Sequence, residues 1–255
     1  MKYRVCTNTD MGLVKEKNED SSYGCVINTE KGMMAFAIVC DGLGGLSEGE
    51  LASSAVICSF KNWIYHRLKI LCKEPITFDV IQKEWGRLLQ LQNEKIQSYG
   101  RKKGIVLGTT VMAVLVTNSY YYVVHIGDCR LYEIESHIFL RTIDQTIVEK
   151  EVLEGKITRK EAEKRKDRHI LWQCCGSNER LVPEFICEKT KKGMTLLLCS
   201  DGFWHNLTLK ELYQAFSTSA CETEKQMELQ SRKLIELGKK RGEKDNLSVA
   251  IIKTY

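Results

Sequence analysis

The stretch AFAIVCDG, residues Ala35–Gly42, is an unbroken apolar run that ends on a carboxylate and a glycine. A run of this length bounded by glycine reads as a strand buried on both faces, with Asp41 pushed out at the rim of the core. The same shape returns in TLLLCSDG, ending at Asp201-Gly202, and in YYYVVHIGD, ending at Asp128. In KDNLSVAII the carboxylate, Asp245, stands just before the strand instead. Strands from distant parts of a chain meet in one sheet, so these tips can converge. Several carboxylates together repel strongly unless divalent metal ions sit between them. Any single Asp-Gly also reads as a tight turn, because both residues tolerate the angles it needs. The repeated strand-edge setting, with no lysine adjacent to Asp41 or Asp201, points to a shared metal site.

Working outward, strand-like segments come first: KYRVCT, SSYGCVIN and MMAFAIVC, with a TEKG turn suggesting a hairpin between the last two. A helix is predicted from about Ser47, where Ser47 and Glu50 have capping-box spacing. Its apolar stripe is Leu51, Ala55, Phe60, Trp63, Ile64 and Leu68. A second helix, roughly Phe78 to Lys102, turns Ile81, Trp85, Leu88, Leu89 and Ile96 inward. Strands resume with TTVMAVLVT, YYYVVHI after an Asn118-Ser119 turn, RLYEI and HIFLR. Residues 145–180 are highly charged and read as surface helix, with a capping box at Thr158 and Glu161. Strands at Glu184–Cys187 and Met194–Cys199 precede two helices, the first capped by Thr208 and Glu211. The strand LSVAIIKTY closes the chain. Grouped strands with grouped helices predict an α+β layered domain with mainly antiparallel sheet.

At 255 residues and 43% hydrophobic content the chain can bury one sizeable core. With two prolines and no Pro/Gly/Ser linker, one domain spanning 1–255 is expected. No run of about eighteen apolar residues is present to span a bilayer, and the start of the chain has no apolar leader. A soluble, cytoplasmic protein without a membrane partner is expected. The eleven cysteines lie mostly inside apolar runs, as Cys40, Cys58 and Cys199 do. They read as reduced, buried hydrophobes, and the lack of a C-x-x-C pair argues against structural zinc. A net charge of +5 permits phosphate-bearing substrates, but no basic stretch interleaves with aromatics as nucleic-acid binding would require.

Taken in order, GLVKEKNEDS, VCDGLGGLSEGELAS, the GTT of Gly108–Thr110, HIGDCRLY, TIDQT, LLLCSDGFWHNL and KDNLSVAII make the chain resemble the metal-dependent Ser/Thr protein phosphatases. This is the PPM or type 2C family, in its bacterial single-domain form, and the resemblance covers about Thr9 to Ile252. It implies a four-layer αββα sandwich of two mainly antiparallel sheets flanked by helices, with a charged flap at about 145–180. It implies a site holding two Mn²⁺ or Mg²⁺ ions, with a third, weaker one in some members. By motif, Asp41 would bridge both ions, the Gly42 carbonyl would bind one, and Asp201 and Asp245 would complete the first. Glu19 would serve the second directly or through water, Asp20 would support bound waters, and Asp128 with Asp201 would hold the third. Water activated between the ions would attack phosphoserine or phosphothreonine without a covalent intermediate. Oxygen-only ligands suit Mg²⁺ or Mn²⁺ rather than zinc. Phosphorylated proteins are the implied substrates, an opposing Ser/Thr kinase the implied partner, and a monomer the implied state.

The chain departs from the family in places. Lys15 stands where an arginine usually grips the phosphate, which predicts weaker, less oriented substrate binding. Lys15 also reads as a solvated surface lysine, and a register placing Lys17 in that role stays open. Leu43 replaces a histidine of many eukaryotic members, and Gln145 replaces a histidine at a position read as structural. His125, His169 and His205 read as ordinary core or surface histidines. The flap's charge reads equally as a substrate-docking surface or a solvated face. Cys174 to Arg180 has the Cys-x₅-Arg spacing of cysteine-dependent phosphatases, but Glu179 would repel phosphate and no strong strand precedes it. The alternative from another class is a catalytically weak or silent phosphatase fold that binds phosphoproteins as a regulator.

Overall fold

The computed structural model describes residues 1–44, 48–177 and 179–255. Two antiparallel sheets form its centre. One runs in the order β1 (Tyr3–Asp10), β12 (Leu247–Thr254), β11 (Thr195–Cys199), β8 (Arg130–Ile134) and β9 (Ile138–Leu140). The other runs β10 (Glu184–Lys189), β7 (Tyr120–Ile126), β6 (Val111–Val116), β3 (Gly32–Cys40) and β2 (Ser21–Thr29). A small separate ladder pairs β4 (Gly42–Gly44) with β5 (Leu107–Thr109).

Side-chain alternation along β3 explains the layering. Ala35, Ala37 and Val39 point between the sheets, where they meet Val114 and Val116 of β6, Leu196 and Leu198 of β11, and Ala250 and Ile252 of β12. Phe36, Ile38 and Cys40 point the other way, into a core closed by α1 (Gly49–Asn62) and α3 (Phe78–Lys103). There Phe36, Phe60, Trp63 and Trp85 stack or meet edge to face, with centroids 5.5–6.3 Å apart. The outer face of β11 and β12 is covered by α6 (Asp201–Trp204), α7 (Leu209–Phe216) and α8 (Glu224–Lys240) through Phe203, Leu212, Phe216, Met227 and Ile235. Continuous apolar strands usually mark parallel sheets. Here helices on both outer faces bury antiparallel strands just as completely. The α+β, four-layer αββα expectation matches this architecture.

Local signals fall where the sequence puts them, with exceptions. The TEKG hairpin forms with Thr29 opposite Gly32, whose φ of +112° lies in the region glycine favours. Capping boxes form at Thr158/Glu161, before α5 (Arg159–Ala162), and at Thr208/Glu211, before α7. A third, Thr223/Gln226, opens α8 and is not anticipated. The proposed cap Ser47 lies outside the described residues; α1 begins at Gly49, with Glu48 at its N-cap making no side-chain cap bond.

Leu51, predicted inward, is 44% exposed, because the buried stripe is Ala52, Val56, Ile57 and Phe60. The helix then widens into a π-helical stretch, Trp63–Leu68, before the short α2 (Lys69–Leu71). That wider turn shifts the phase so that Trp63, Ile64 and Leu68 still face the sheet. The charged segment 145–180 is only partly helical, in α4 (Ile147–Leu153) and α5.

Strand register decides where the carboxylates go. Leu247 pairs with Asp10, Cys199 with Val249 and Arg130, Cys40 with Ser21, and Ile126 with Val111. The last residue of β11 and the first of β12 thus lie at one end of their sheet, and Asp201 and Asp245 follow or precede them by two residues.

Candidate active site

Asp41 leaves β3 at this end and is gripped through its backbone. Its N–H donates to Thr110 Oγ1 at 2.8 Å, while its carbonyl accepts from Thr110 N at 2.9 Å and Thr109 Oγ1 at 2.9 Å. The peptide is thereby fixed and the carboxylate is left for other work. Gly42 continues into β4, its N–H reaching the Glu19 carbonyl at 3.2 Å. A Cβ at Gly42 would collide with the carbonyl oxygens of Gly49 and Glu19, so only glycine fits. Gly202 is equally constrained, since a Cβ there would strike the Asn246 carbonyl.

The segment before β2 folds against both of these. Glu19 N donates to Asn246 Oδ1 at 2.9 Å, and Glu19 Oε1 accepts the first helical N–H of α1, Gly49 N, at 2.9 Å. Asn246 Nδ2 donates to the carbonyls of Met11 and Lys17, so one amide ties the 11–19 segment to the start of β12. Asp20 is buried beside it and accepts from Ser200 Oγ at 2.8 Å. Asp201 opens α6 (Asp201–Trp204), immediately after β11 and Ser200. Asp245 is held by Glu243, whose Oε1 accepts the N–H groups of Lys244 and Asp245 at 2.8 and 3.1 Å. Asp128 follows Gly127, with Gln145 Oε1 accepting Gly127 N at 2.9 Å. Gln145 is buried and braces that turn.

These carboxylates share one electrostatic field. Burial, then the charges of Asp201 and Asp245, push Asp20 up to about 7 against the hydrogen bonds of Ser248 and Ser200. Burial and then Asp20, Asp201, Asp128 and Asp245 raise Asp41 well above its usual range. Burial, then Asp201 and Asp144, raise Asp128, and burial, then Asp245, raise Asp201. Asp20 Oδ1 and Asp201 Oδ1 are buried without a hydrogen-bond partner.

Lys15 lies among these groups, its Nζ 2.7 Å from Asp245 Oδ1. Partial burial pulls its ammonium down, but Asp245, Asp41 and Glu19 hold it above its ordinary value. Lys17 instead pairs with Glu50, at 3.1 Å. The geometry therefore brings Asp20, Asp41, Asp128, Asp201 and Asp245 into one field, with Glu19 anchored alongside and Lys15 as a cation inside it.

Mutually repelling carboxylates with orphaned oxygens fit hard divalent cations, which take oxygen ligands and keep several waters. Among the described residues no three His, Cys, Asp or Glu side chains close on their own into a single-ion cage. The fit lies in the charge and in the orphaned oxygens of the cluster.

The Cys174 thiol is buried, 2.7 Å from Ser177 Oγ, and burial raises its pKa, the opposite of what a nucleophilic thiolate needs. Asn178, inside that Cys-x₅-Arg stretch, lies outside the described residues. Beside Asp128 the flap closes over a cleft of about 230 Å³ lined by Arg130, Asp144, Arg168, His169, Trp204 and His205. Sequence reasoning assigned no role to Thr109, Thr110, Ser200, Glu243 or Asn246. Ser200, Asn246 and Glu243 lie within two residues of motif aspartates, and Thr109 and Thr110 lie in the quoted GTT motif, signals of place that carry no role by themselves.

The family described as Protein phosphatase 2C matches residues 14–237. The chain is 25% identical over 248 residues to the serine/threonine phosphatase stp of Listeria monocytogenes, covering 96% of this chain and 93% of that one. It is 28% identical over 251 residues to the serine/threonine protein phosphatase PstP of Mycobacterium tuberculosis, covering 97% of this chain but 44% of the relative. Its fold matches the Streptococcus agalactiae serine/threonine phosphatase at TM-score 0.82 and 24% identity, over the full length of both chains. It also matches the PstP catalytic domain solved with two manganese ions, at TM-score 0.77 and 26% identity over 98% and 97% of the two chains.

Proposed function

The chain belongs to the protein phosphatase 2C family, and on that premise we propose that it hydrolyses phosphoserine and phosphothreonine on proteins, using two divalent ions, Mn²⁺ or Mg²⁺. The observation that carries this reading is the shared field of Asp20, Asp41, Asp201 and Asp245, with two buried carboxylate oxygens lacking any partner.

Asp41, Asp201 and Asp245, with the Gly42 carbonyl, would hold one ion. Asp41 with Glu19 would hold the other, Asp20 would orient water beside them, and Asp128 with Asp201 would offer a weaker third position. Ions bound there would lower the pKa of water and neutralise the phosphoryl oxygens. The chain's own residues do the rest. Thr109 and Thr110 fix the Asp41 peptide. In the metal-free cluster Asp20, raised to about 7, keeps a proton near neutrality, and cations among these carboxylates would favour its ionised form. Lys15 presents a point charge to a phosphate at the edge of the site.

As an enzyme that reverses protein phosphorylation, it would oppose a Ser/Thr kinase. A cytoplasmic monomer with residues 1–255 as one phosphatase domain is part of this proposal. No helix among the described residues is long and apolar enough to cross a membrane.

One observation favours a weak or silent phosphoprotein-binding fold instead, namely the ammonium of Lys15 already neutralising Asp245. Phosphate release from a phosphothreonine peptide separates the readings. Metal-dependent release that disappears in Asp41→Asn supports the enzyme. A native chain silent across Mn²⁺ and Mg²⁺ concentrations, and not stabilised by either, supports the binding fold.

A further inference from the structure

Arg168 and His169 are flap residues beside the carboxylate cluster. Arg168 spends all three guanidinium nitrogens on neighbours: Nε donates to His169 Nε2 at 3.0 Å, Nη2 to His205 Nε2 at 2.8 Å, and Nη1 to the Glu163 carbonyl at 3.3 Å. A guanidinium has only donors. Both imidazole Nε2 atoms must therefore be unprotonated acceptors, which leaves each ring's proton on Nδ1.

Those two Nδ1 atoms face the two arms of the cluster. His169 Nδ1 lies 3.8 Å from Asp201 Oδ2, and His205 Nδ1 lies 3.4 Å from Glu243 Oε2. The rings pack edge to face with centroids 5.3 Å apart. Glu243 in turn accepts from Asn206 Nδ2 at 2.6 Å and from the Lys244 and Asp245 N–H groups. It thus joins the loop after α6, which begins with Asp201, to the loop that carries Asp245.

We infer that Arg168 is a positioning residue that fixes His169 and His205 as Nδ1–H tautomers and thereby aligns Asp201 and the Glu243–Asp245 loop for metal binding. This rests on the divalent-metal reading given above. Neither histidine need touch metal or substrate. His205 presents its Nδ1–H to Glu243 within hydrogen-bond reach, and His169, at 3.8 Å, turns its Nδ1–H dipole toward Asp201 without a direct hydrogen bond, the kind of service outer-shell partners give ligand groups. The flap would then act on the metal site through tautomer choice.

The test uses the full chain with ¹⁵N-labelled histidine, comparing native protein, Arg168→Met and Arg168→Lys. Long-range ¹H–¹⁵N correlation spectra of the metal-free proteins read the tautomers, and calorimetric titration reads Mn²⁺ affinity. The native chain should show His169 and His205 as Nδ1–H, and Arg168→Met should move both toward Nε2–H. Mn²⁺ affinity in Arg168→Met should fall about tenfold, the lower end of outer-shell effects on metal sites. Arg168→Lys, keeping the charge but unable to fork to two rings, should hold at most one histidine in the Nδ1–H form and recover only part of the affinity.

Native histidines in the Nε2–H form, tautomers unmoved by Arg168→Met, or full affinity in Arg168→Met would each overturn the inference. A native chain that binds no Mn²⁺ defeats the metal reading and the affinity arm together. Unchanged Mn²⁺ binding in the variant defeats only the role assigned to Arg168.

Discussion

The metal-free protein should become less stable as pH rises from 4 toward 8, and Asp20→Asn should remove a defined part of that loss. Asp20 is buried with Oδ1 unpartnered, and its folded-state pKa stands near 7 against 3.8 for the free side chain. Between those values the folded chain keeps a proton that the unfolded chain has released. Stability falls with pH wherever the native state binds more protons, so this group destabilises progressively above about pH 4 and by its full amount above about pH 7. At roughly 1.4 kcal/mol per tenfold change, that amount is about 4 kcal/mol, and about 2–4 once neighbouring carboxylates share the protons.

Asparagine keeps the shape and never ionises. Native and Asp20→Asn proteins should therefore match near pH 3, below both pKa values, and diverge by that amount at pH 8, the variant being the more stable. Urea unfolding in EDTA, followed by tryptophan fluorescence at several pH values, measures the difference directly. A gap that stays constant with pH, or that shrinks, refutes the claim that Asp20 is held up by burial and by Asp201 and Asp245. Saturating Mn²⁺ should close the gap at pH 8 in the native chain by favouring the ionised cluster.

Three other substitutions examine separate parts of the site. Asp245→Asn should abolish most Mn²⁺-dependent thermal stabilisation, which at a hundredfold excess over Kd amounts to about 2.7 kcal/mol in a competent site; scanning calorimetry with and without metal reads it. Gly42→Ala forces a methyl against the Gly49 and Glu19 carbonyls and should destabilise the chain by about 1–3 kcal/mol in urea unfolding. Lys15→Arg should lower KM for a phosphothreonine peptide by about tenfold, the worth of one good charge-assisted hydrogen bond, while kcat moves little; an unchanged KM would remove Lys15 from phosphate binding.

The carboxylate cluster was legible because its parts are local. A buried apolar strand ending in an aspartate is visible within about eight residues, and the two Asp-Gly ends together with the Asp128 end invite the idea of a common rim. The α+β layering with mainly antiparallel sheet was legible for the same reason, since period and run length are properties of short windows, whereas the four-layer sandwich came with the family resemblance. What stayed hidden depends on contacts across the fold. Glu243 braces Asp245 from two residues away but draws its meaning from Asn206 and His205. Thr110 matters because β6 lies beside β3, and nothing in a Gly-Thr-Thr triplet announces that it will grip the Asp41 peptide. The π-helical stretch at Trp63–Leu68 escaped because a single wider turn shifts helical phase without a glycine or proline to mark it. His169 and His205 read as bland histidines because their role depends on Arg168 meeting both at once.

The most consequential departure from the family pattern follows from the same electrostatics. An arginine at position 15 would stay charged and offer two parallel donors to a phosphate. A lysine offers one compact charge, and here that charge is spent on Asp245. In the metal-free chain the ammonium therefore relieves part of the repulsion that raises Asp20 and Asp201. On the proposed metal reading, a divalent ion entering at Asp245 would make that relief redundant and free the ammonium for a phosphate, so metal loading and readiness for substrate would be coupled through one side chain. Lys15→Met should accordingly separate the two effects: the metal-free protein loses stability at pH 8, where the cluster is most charged, while Mn²⁺ affinity rises because no ammonium has to be displaced. Calorimetric Mn²⁺ titration of both proteins decides the matter. Weaker metal binding in Lys15→Met would mean that the lysine supports the ion rather than competing with it.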